Sequence, residues 1–104
     1  MWSPMTVREL RERLGFDTAL FAKLLSVDTR SVRRWESGHA RPTGTAAAVM
    51  SGIEESLNKA AEAGAPNQYA AIRDLCGRVA RVGGLSYLLV TLIDTTRAAP
   101  EPRV

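Results

Sequence analysis

The stretch from residue 26 to residue 42 constrains the fold most, because it carries the signals of a short helix at both ends. Asp28 suits the N-cap position, where its carboxylate accepts from the free N–H groups of the first turn and meets the positive end of the helix dipole. Gly38 is a typical C-terminal stop, and Pro42 follows four residues later. We therefore expect a helix of under three turns between Asp28 and Gly38.

This predicted helix has an apolar face and a cationic face. Val32 and Trp35 are three residues apart and share the inward face, with Val27 just ahead of the helix. Trp35 is thus expected in the core and not as a platform for base stacking. The opposite face carries Thr29, Arg30, Arg33 and Arg34. A short helix that presents three arginines outward fits the major groove of duplex DNA.

A second short helix is predicted directly before it. Asp17 can cap this helix, and Phe21, Leu24 and Leu25 form its apolar stripe. Only residues 26 and 27 separate it from Asp28. Two short helices with so tight a turn are typical of a helix-turn-helix motif.

Residues 6 to 57 resemble the lambda-repressor-like (Cro and xenobiotic-response-element) helix-turn-helix family. The resemblance implies an all-α helix-turn-helix bundle that binds a specific sequence of double-stranded DNA as a transcriptional regulator. It covers about half of the chain. The matching residues are Phe21, Ala22, Leu24, Leu25, Val27, Val32, Trp35-Glu36-Ser37-Gly38 and Arg41-Pro42.

The resemblance also implies a structural role for Glu36. In that family this acid ties the recognition helix to a neighbouring arginine, for which Arg11, Arg13 and Arg41 are the candidates here.

The chain departs from the family at two positions. Thr18 replaces the usual Gln that reaches a phosphate, and its side chain is shorter. Ser26 stands where the family often has Gly, so it must either adopt a positive φ or adjust the turn.

Eight residues are expected at the DNA. Arginine is the usual bidentate partner of guanine in the major groove, although Arg33, at the flank, is as suited to phosphate as to a base. The expected base contacts are Thr29, Arg30, Arg33 and Arg34. Residues at loops and helix starts suit contacts to the sugar-phosphate backbone, which position the protein without reading sequence. These are Thr18, Ser37, Arg41 and Thr43.

The positive charge is concentrated in the same half of the chain. The formal net charge is +3. Residues 1–43 hold eight Lys and Arg against five Asp and Glu, whereas residues 44–104 hold six of each. This asymmetry is the pattern expected of a DNA-binding face, and equally of a solvated basic surface.

The sequence offers no catalytic or metal-binding constellation. Cys76 is the single cysteine, so no internal disulfide forms; it is expected to be a small core residue in a reducing cytoplasm. His39 is the single histidine and has no partners at metal-ligand spacing. We expect no enzyme activity, cofactor, metal or small-molecule ligand. The absence of a signal peptide or a ~20-residue apolar span predicts a cytoplasmic protein, associated with the nucleoid through DNA.

Three further helices are predicted. The first runs from a cap at Thr6, with Glu9 completing a capping box, to Leu14 and a stop at Gly15, behind a frayed segment 1–5. The fourth runs from a cap at Thr43 or Thr45 to about Ala63. The fifth runs from a cap at Asn67 to about Val82, before a stop at Gly83-Gly84. Its expected inward residues are Ile72, Leu75, Cys76, Val79 and Val82.

The break at Gly64-Ala65-Pro66 suggests a division of the chain. We expect a DNA-binding domain over residues 1–64, a short C-terminal helical tail over 65–97 that serves dimerisation or partner binding, and a disordered end over 98–104.

The segment from 85 to 95 combines helical spacing with residues that favour strands, so both structures stay open, with helix preferred. Its apolar stripe is either a homodimer surface, which we prefer, or a face that folds back on the fourth and fifth helices. The stripe consists of Leu85, Leu88, Leu89, Leu92 and Ile93.

Three biological contexts fit these features. The first is a phage or prophage Cro- or repressor-like protein that occludes an operator. The second is an antitoxin whose tail binds a toxin while its head autoregulates. The third is an interaction protein that keeps the fold without binding DNA, which the outward arginines argue against. The neighbouring genes would separate the first two.

Overall fold

The computed structural model describes residues 2–84, and within that range the chain is all-α, as predicted, with five helices and no strand. The predictions for 85–104, including the helix-or-strand alternative, the apolar stripe and the disordered end, lie outside the described residues. The helices are α1 (Pro4–Leu14), α2 (Thr18–Leu25), α3 (Thr29–Ser37), α4 (Gly44–Glu62) and α5 (Pro66–Arg81).

The predicted N-caps of α2 and α3 and the predicted glycine stops of α1 and α3 are confirmed. Asp17 and Asp28 each accept a hydrogen bond, at 2.8 Å, from the backbone N–H three residues later. Gly15 ends α1 and Gly38 ends α3, each with a left-handed backbone (φ 74° and 86°) that a residue with a Cβ adopts at a cost. These local signals explain why the two motif helices are short and sharply bounded.

The predicted start of α1 is wrong. Ser3, and not Thr6, is the N-cap: its hydroxyl accepts from the Thr6 N–H at 3.3 Å, and the Thr6 hydroxyl accepts in return from the Ser3 N–H at 2.8 Å. Thr6 therefore occupies the capping-box position that was expected of Glu9. Pro4 follows at the first helical position, where its fixed φ and missing N–H suit a helix start.

The segment ahead of α1 is packed, so the expected fraying of residues 1–5 is wrong for Trp2. The indole of Trp2 is buried, and its N–H donates to Ser51 Oγ on α4 at 3.1 Å. A large apolar ring with one polar group is stabilised where it can bury the ring and satisfy the N–H together.

The starts of α4 and α5 also depart in detail from the prediction. Thr43 is the N-cap of α4, but its side chain makes no capping hydrogen bond. α5 begins at Pro66, with Ala65 and not Asn67 at the N-cap position. Proline at the first position again fixes the start of the helix without any side-chain cap.

One hydrophobic core joins all five helices. Val32 is fully buried and Trp35 is 7% exposed, which confirms the predicted inward face of α3. The other main contributors are Val7, Leu10, Phe21, Leu24, Met50, Leu57, Cys76 and Ala80. Cys76 is thus a core residue, as expected.

α5 packs against both α2 and α4. The break at residues 64–66 is therefore a turn between packed helices. The packed face of α5 is centred on Cys76 and Ala80, so the expectation that Leu75 and Val82 point inward is wrong: they are 55% and 53% exposed. Leu75 lies about 100° around the helix from Cys76, and Val82 follows the last helical residue.

The predicted stop at Gly83-Gly84 is confirmed. Gly84 also packs against the end of α2. The Gly84 N–H donates to the Val79 carbonyl at 2.8 Å. A Cβ on Gly84 would collide with the carbonyl oxygen of Lys23, near the end of α2. Within residues 2–84, none of the helices is both long and apolar enough to cross a membrane.

Replacing Trp35 by Ala is expected to lower the free energy of unfolding by ~3–5 kcal/mol, because truncating a buried aromatic leaves a cavity. Leu75→Ala is the matched control: it also shortens a large apolar side chain, but on an exposed surface, and should change stability by less than about 0.5 kcal/mol. Urea unfolding followed by circular dichroism measures both. Equal losses would contradict the assignment of the buried face of α3.

Candidate nucleic-acid interface

The turn between α2 and α3 fixes the relative direction of the two helices. Ser26 has a left-handed backbone (φ 58°, ψ 41°), so of the two alternatives for this position it takes the positive φ. The Ser26 N–H donates to the Lys23 carbonyl at 3.2 Å, and the Val27 N–H donates to the Ala22 carbonyl at 3.0 Å. These are the two bonds of a Schellman motif, which satisfy the last carbonyls of α2 and turn the chain sharply.

The outward face of α3 carries the predicted arginines. Arg30, Arg33 and Arg34 are exposed, and none of them forms an ion pair with another residue between 2 and 84. Thr29, the first residue of α3, is half-buried. Three unpaired guanidinium groups on one short helix can bind anions or the acceptor atoms of guanine.

Asp28 is the acid nearest to this face in sequence, and capping occupies its carboxylate. Hydrogen bonds from the Ser31 hydroxyl and backbone N–H lower the pKa of Asp28, with a smaller contribution from the charge of Arg30. The side chain is therefore ionised at neutral pH and complements the positive end of the α3 dipole.

The four residues expected at the sugar-phosphate backbone lie at helix ends or in the loop after α3. Thr18 is the first residue of α2 and is half-buried, whereas Thr43 precedes α4 and is exposed. Arg41 is exposed in the loop. The Ser37 hydroxyl donates to the Arg34 carbonyl at 3.2 Å and lies 2.8 Å from His39 Nδ1. Ser37 is thus already engaged in closing the end of α3.

Glu36 ties α3 to α1 through Arg11, one of its three candidate partners. Arg11 Nε lies 2.7 Å from Glu36 Oε2 and Nη2 lies 3.1 Å from Oε1, a bidentate arrangement. The Glu36 side chain is only 8% exposed, and its hydrogen bonding raises the pKa of Arg11. Arg11 Nη1 also donates to the Phe16 carbonyl at 3.0 Å. This single guanidinium therefore joins α1, α3 and the segment that leads into α2.

Two further contacts were not visible in the sequence. Arg8 Nε lies 3.6 Å from Glu36 Oε1, as an exposed second partner. Arg13, a candidate partner of Glu36, instead donates to the Tyr69 hydroxyl on α5 at 3.1 Å and lies 5.7 Å from the ring centre. Both depend on how α1 is rotated against α3 and α5, which residue spacing does not encode.

Cys76 is a free cysteine in the core formed by the described residues, and burial raises the pKa of its thiol. Among residues 2–84 there is no group of three or more His, Cys, Asp or Glu side chains that could hold a metal ion.

No protein-family profile matches the chain, and comparisons with curated proteins and with solved structures find no similar protein.

Glu36→Gln is expected to lower the free energy of unfolding by about 1–3 kcal/mol, because Arg11 is left partly buried without an anionic partner. Glu55→Gln is the matched control: Glu55 lies 3.5 Å from Lys59 in an exposed pair on α4. Such pairs contribute at most about 1 kcal/mol. Chemical unfolding measures both variants. If Glu36→Gln were no more destabilising than the control, the anchoring role of Glu36 would be rejected.

Proposed function

We propose that the protein binds a specific sequence of double-stranded DNA and acts as a transcriptional regulator of the lambda-repressor-like kind. The observation that carries the proposal is the cationic outer face of α3. A nine-residue helix, capped at both ends and packed through Trp35 and Val32, presents Arg30, Arg33 and Arg34 without ion-pair partners among residues 2–84. Exposed guanidinium groups without ion-pair partners, on a helix narrow enough for the major groove, favour DNA as the ligand.

In this proposal, α3 contacts the bases, and residues at the starts of α2 and α4 and after α3 contact the sugar-phosphate backbone. α3 enters the major groove, where Arg30 and Arg34 donate to guanine, Thr29 meets a thymine methyl or a nearby phosphate, and Arg33 contacts a base or a flanking phosphate. Thr18 and Thr43, at the starts of α2 and α4, contact the sugar-phosphate backbone together with Arg41 and the end of α3 at Ser37. The Arg11–Glu36 pair holds α3 at the angle that this docking requires.

A single head reads few base pairs, and one such module seldom discriminates a site from a genome. We propose that the protein is a homodimer through the stripe Leu85–Ile93, with half-sites one helical turn, roughly 10 base pairs, or a multiple apart. Binding over a promoter would exclude polymerase. A phage or prophage switch in the cytoplasm, acting on the nucleoid, is the context that we favour.

Selection from a library of random duplexes tests the function. We expect enrichment of one sequence with two related halves, and binding that weakens as salt increases. Recovery of unrelated sequences after repeated rounds would reject sequence-specific binding.

Replacing Arg34 by Ala is expected to weaken binding to the selected duplex by ~1–3 kcal/mol and to relax the preference at one base position, because a bidentate base contact is lost. Lys59→Ala, which removes the same charge from α4, serves as the control. Affinities are measured for the selected and a scrambled duplex. Equal losses on both would assign Arg34 to a phosphate.

Ending the chain at Gly84 is expected to convert a dimer into a folded monomer with weakened operator binding. The cut keeps the contact of Gly84 with Lys23 and the whole described core. Analytical ultracentrifugation of both forms, free and with the selected duplex, measures the change. An intact protein that stays monomeric at high concentration, both free and on DNA, is incompatible with the proposed dimer.

A further inference from the structure

A second basic surface lies where α5 packs against the start of α2. It lines a groove of about 300 Å³ between α5 and the segment that joins α1 to α2. Apolar residues and two arginines line it. The residues that matter here are Leu14, Phe16, Leu20, Gly77, Arg73 and Arg81.

Two glycines make room for the arginine side chains. A Cβ on Gly15 would lie 2.9 Å from Arg73 Nη2, and a Cβ on Gly77 would lie 3.6 Å from Arg81 Nη1. Each guanidinium therefore lies directly over a glycine and borders the same groove.

The groove has an excess of positive charge. Neither Arg73 nor Arg81 forms an ion pair or a hydrogen bond with another side chain between residues 2 and 84. Asp74 is the one acid on the groove wall, so the two arginines exceed it by one charge. Guanidinium groups without ion-pair partners in the described residues, next to apolar side chains, suit a ligand that combines an anion with a less polar part, as a nucleotide does with its phosphate and sugar.

The groove lies beside the first turn of α2. α5 runs alongside α2 in the same direction. The Arg73 side chain lies against Gly15, just before α2, and Gly84 lies against Lys23, near the end of α2. Gly15 is only three residues from Thr18, a residue proposed above to contact the sugar-phosphate backbone. A DNA strand that passes the start of α2 would therefore come near Arg73.

We propose that Arg73 and Arg81 bind a phosphate of the DNA backbone next to the segment that α3 reads, so that α5 extends the DNA contact beyond the helix-turn-helix pair. This inference rests on the proposed function and adds a second, sequence-independent contact to it. The proximity to α2 and the chemistry of a phosphodiester favour DNA over an acidic protein segment as the occupant.

The test compares the intact protein with Arg73→Gln/Arg81→Gln, and with Arg78→Gln as the control. Arg78 is an exposed arginine on α5 that does not line this groove. Binding to the selected duplex and to a scrambled duplex is measured from 50 to 200 mM salt. The double variant should lose affinity about tenfold on both duplexes. The slope of log K against log salt should become shallower by about 0.9, which is the contribution of the one phosphate contact that is lost. Arg78→Gln should leave the slope nearly unchanged.

Three outcomes are decisive. An unchanged salt slope in a double variant whose thermal unfolding is normal would overturn the inference while leaving the proposed function intact, because the unsubstituted protein still selects its duplex. If Arg78→Gln changed the salt slope as much as the double variant does, the change would follow from the lower net charge alone, and the inference would also be overturned. The third outcome comes from adding a fluorescent oligo-glutamate peptide to the preformed complex of protein and DNA. If the peptide binds this complex and its binding requires Arg73 and Arg81, the groove does not contact DNA and binds an acidic protein segment, which overturns the inference.

Discussion

Burial of one face of α3 is the constraint on which the rest of the described structure depends. A helix of nine residues is too short to be stable in water on its own, because the cost of its first turn is recovered only over many further residues. Packing of Val32 and Trp35 supplies the missing stability. Since those side chains lie on one face, the polar residues of the same helix must lie on the other, and the three exposed arginines follow from the buried face.

The Arg11–Glu36 pair sets the orientation of α3 within the packed bundle. Hydrophobic contact holds α3 in the bundle but specifies its tilt weakly, because apolar surfaces tolerate small rotations. A bidentate ion pair with Nε–Oε2 at 2.7 Å tolerates much less. Its net contribution to stability is modest after desolvation, so we attribute to it the orientation of α3 more than the free energy of folding. The left-handed Ser26 acts similarly at the other junction, by setting the angle between α2 and α3.

Local sequence signals were sufficient for the start of α2 and for both ends of α3. The caps at Asp17 and Asp28, the stops at Gly15 and Gly38 and the inward Trp35 were all predictable, since each depends on residues within one or two turns. The starts of α1 and α5 were misplaced by local signals, whereas two other errors lie where distant segments meet. The packed Trp2 depends on Ser51 in α4, and the exposed Leu75 depends on how α5 is rotated against α2.

The sequence by itself therefore determined the all-α class, the position of the two motif helices and the cationic face of α3, because caps and helical periodicity are local properties. Only the tertiary structure decided that Arg11 and not Arg13 pairs with Glu36, and that Arg13 turns to Tyr69. It also brought Arg73 and Arg81 beside the start of α2, although the half of the chain that holds them has no net charge. The physical reason is common to these cases: side chains far apart in sequence meet only when whole helices are packed, and the rotation of one helix against another depends on all the contacts of the core at once.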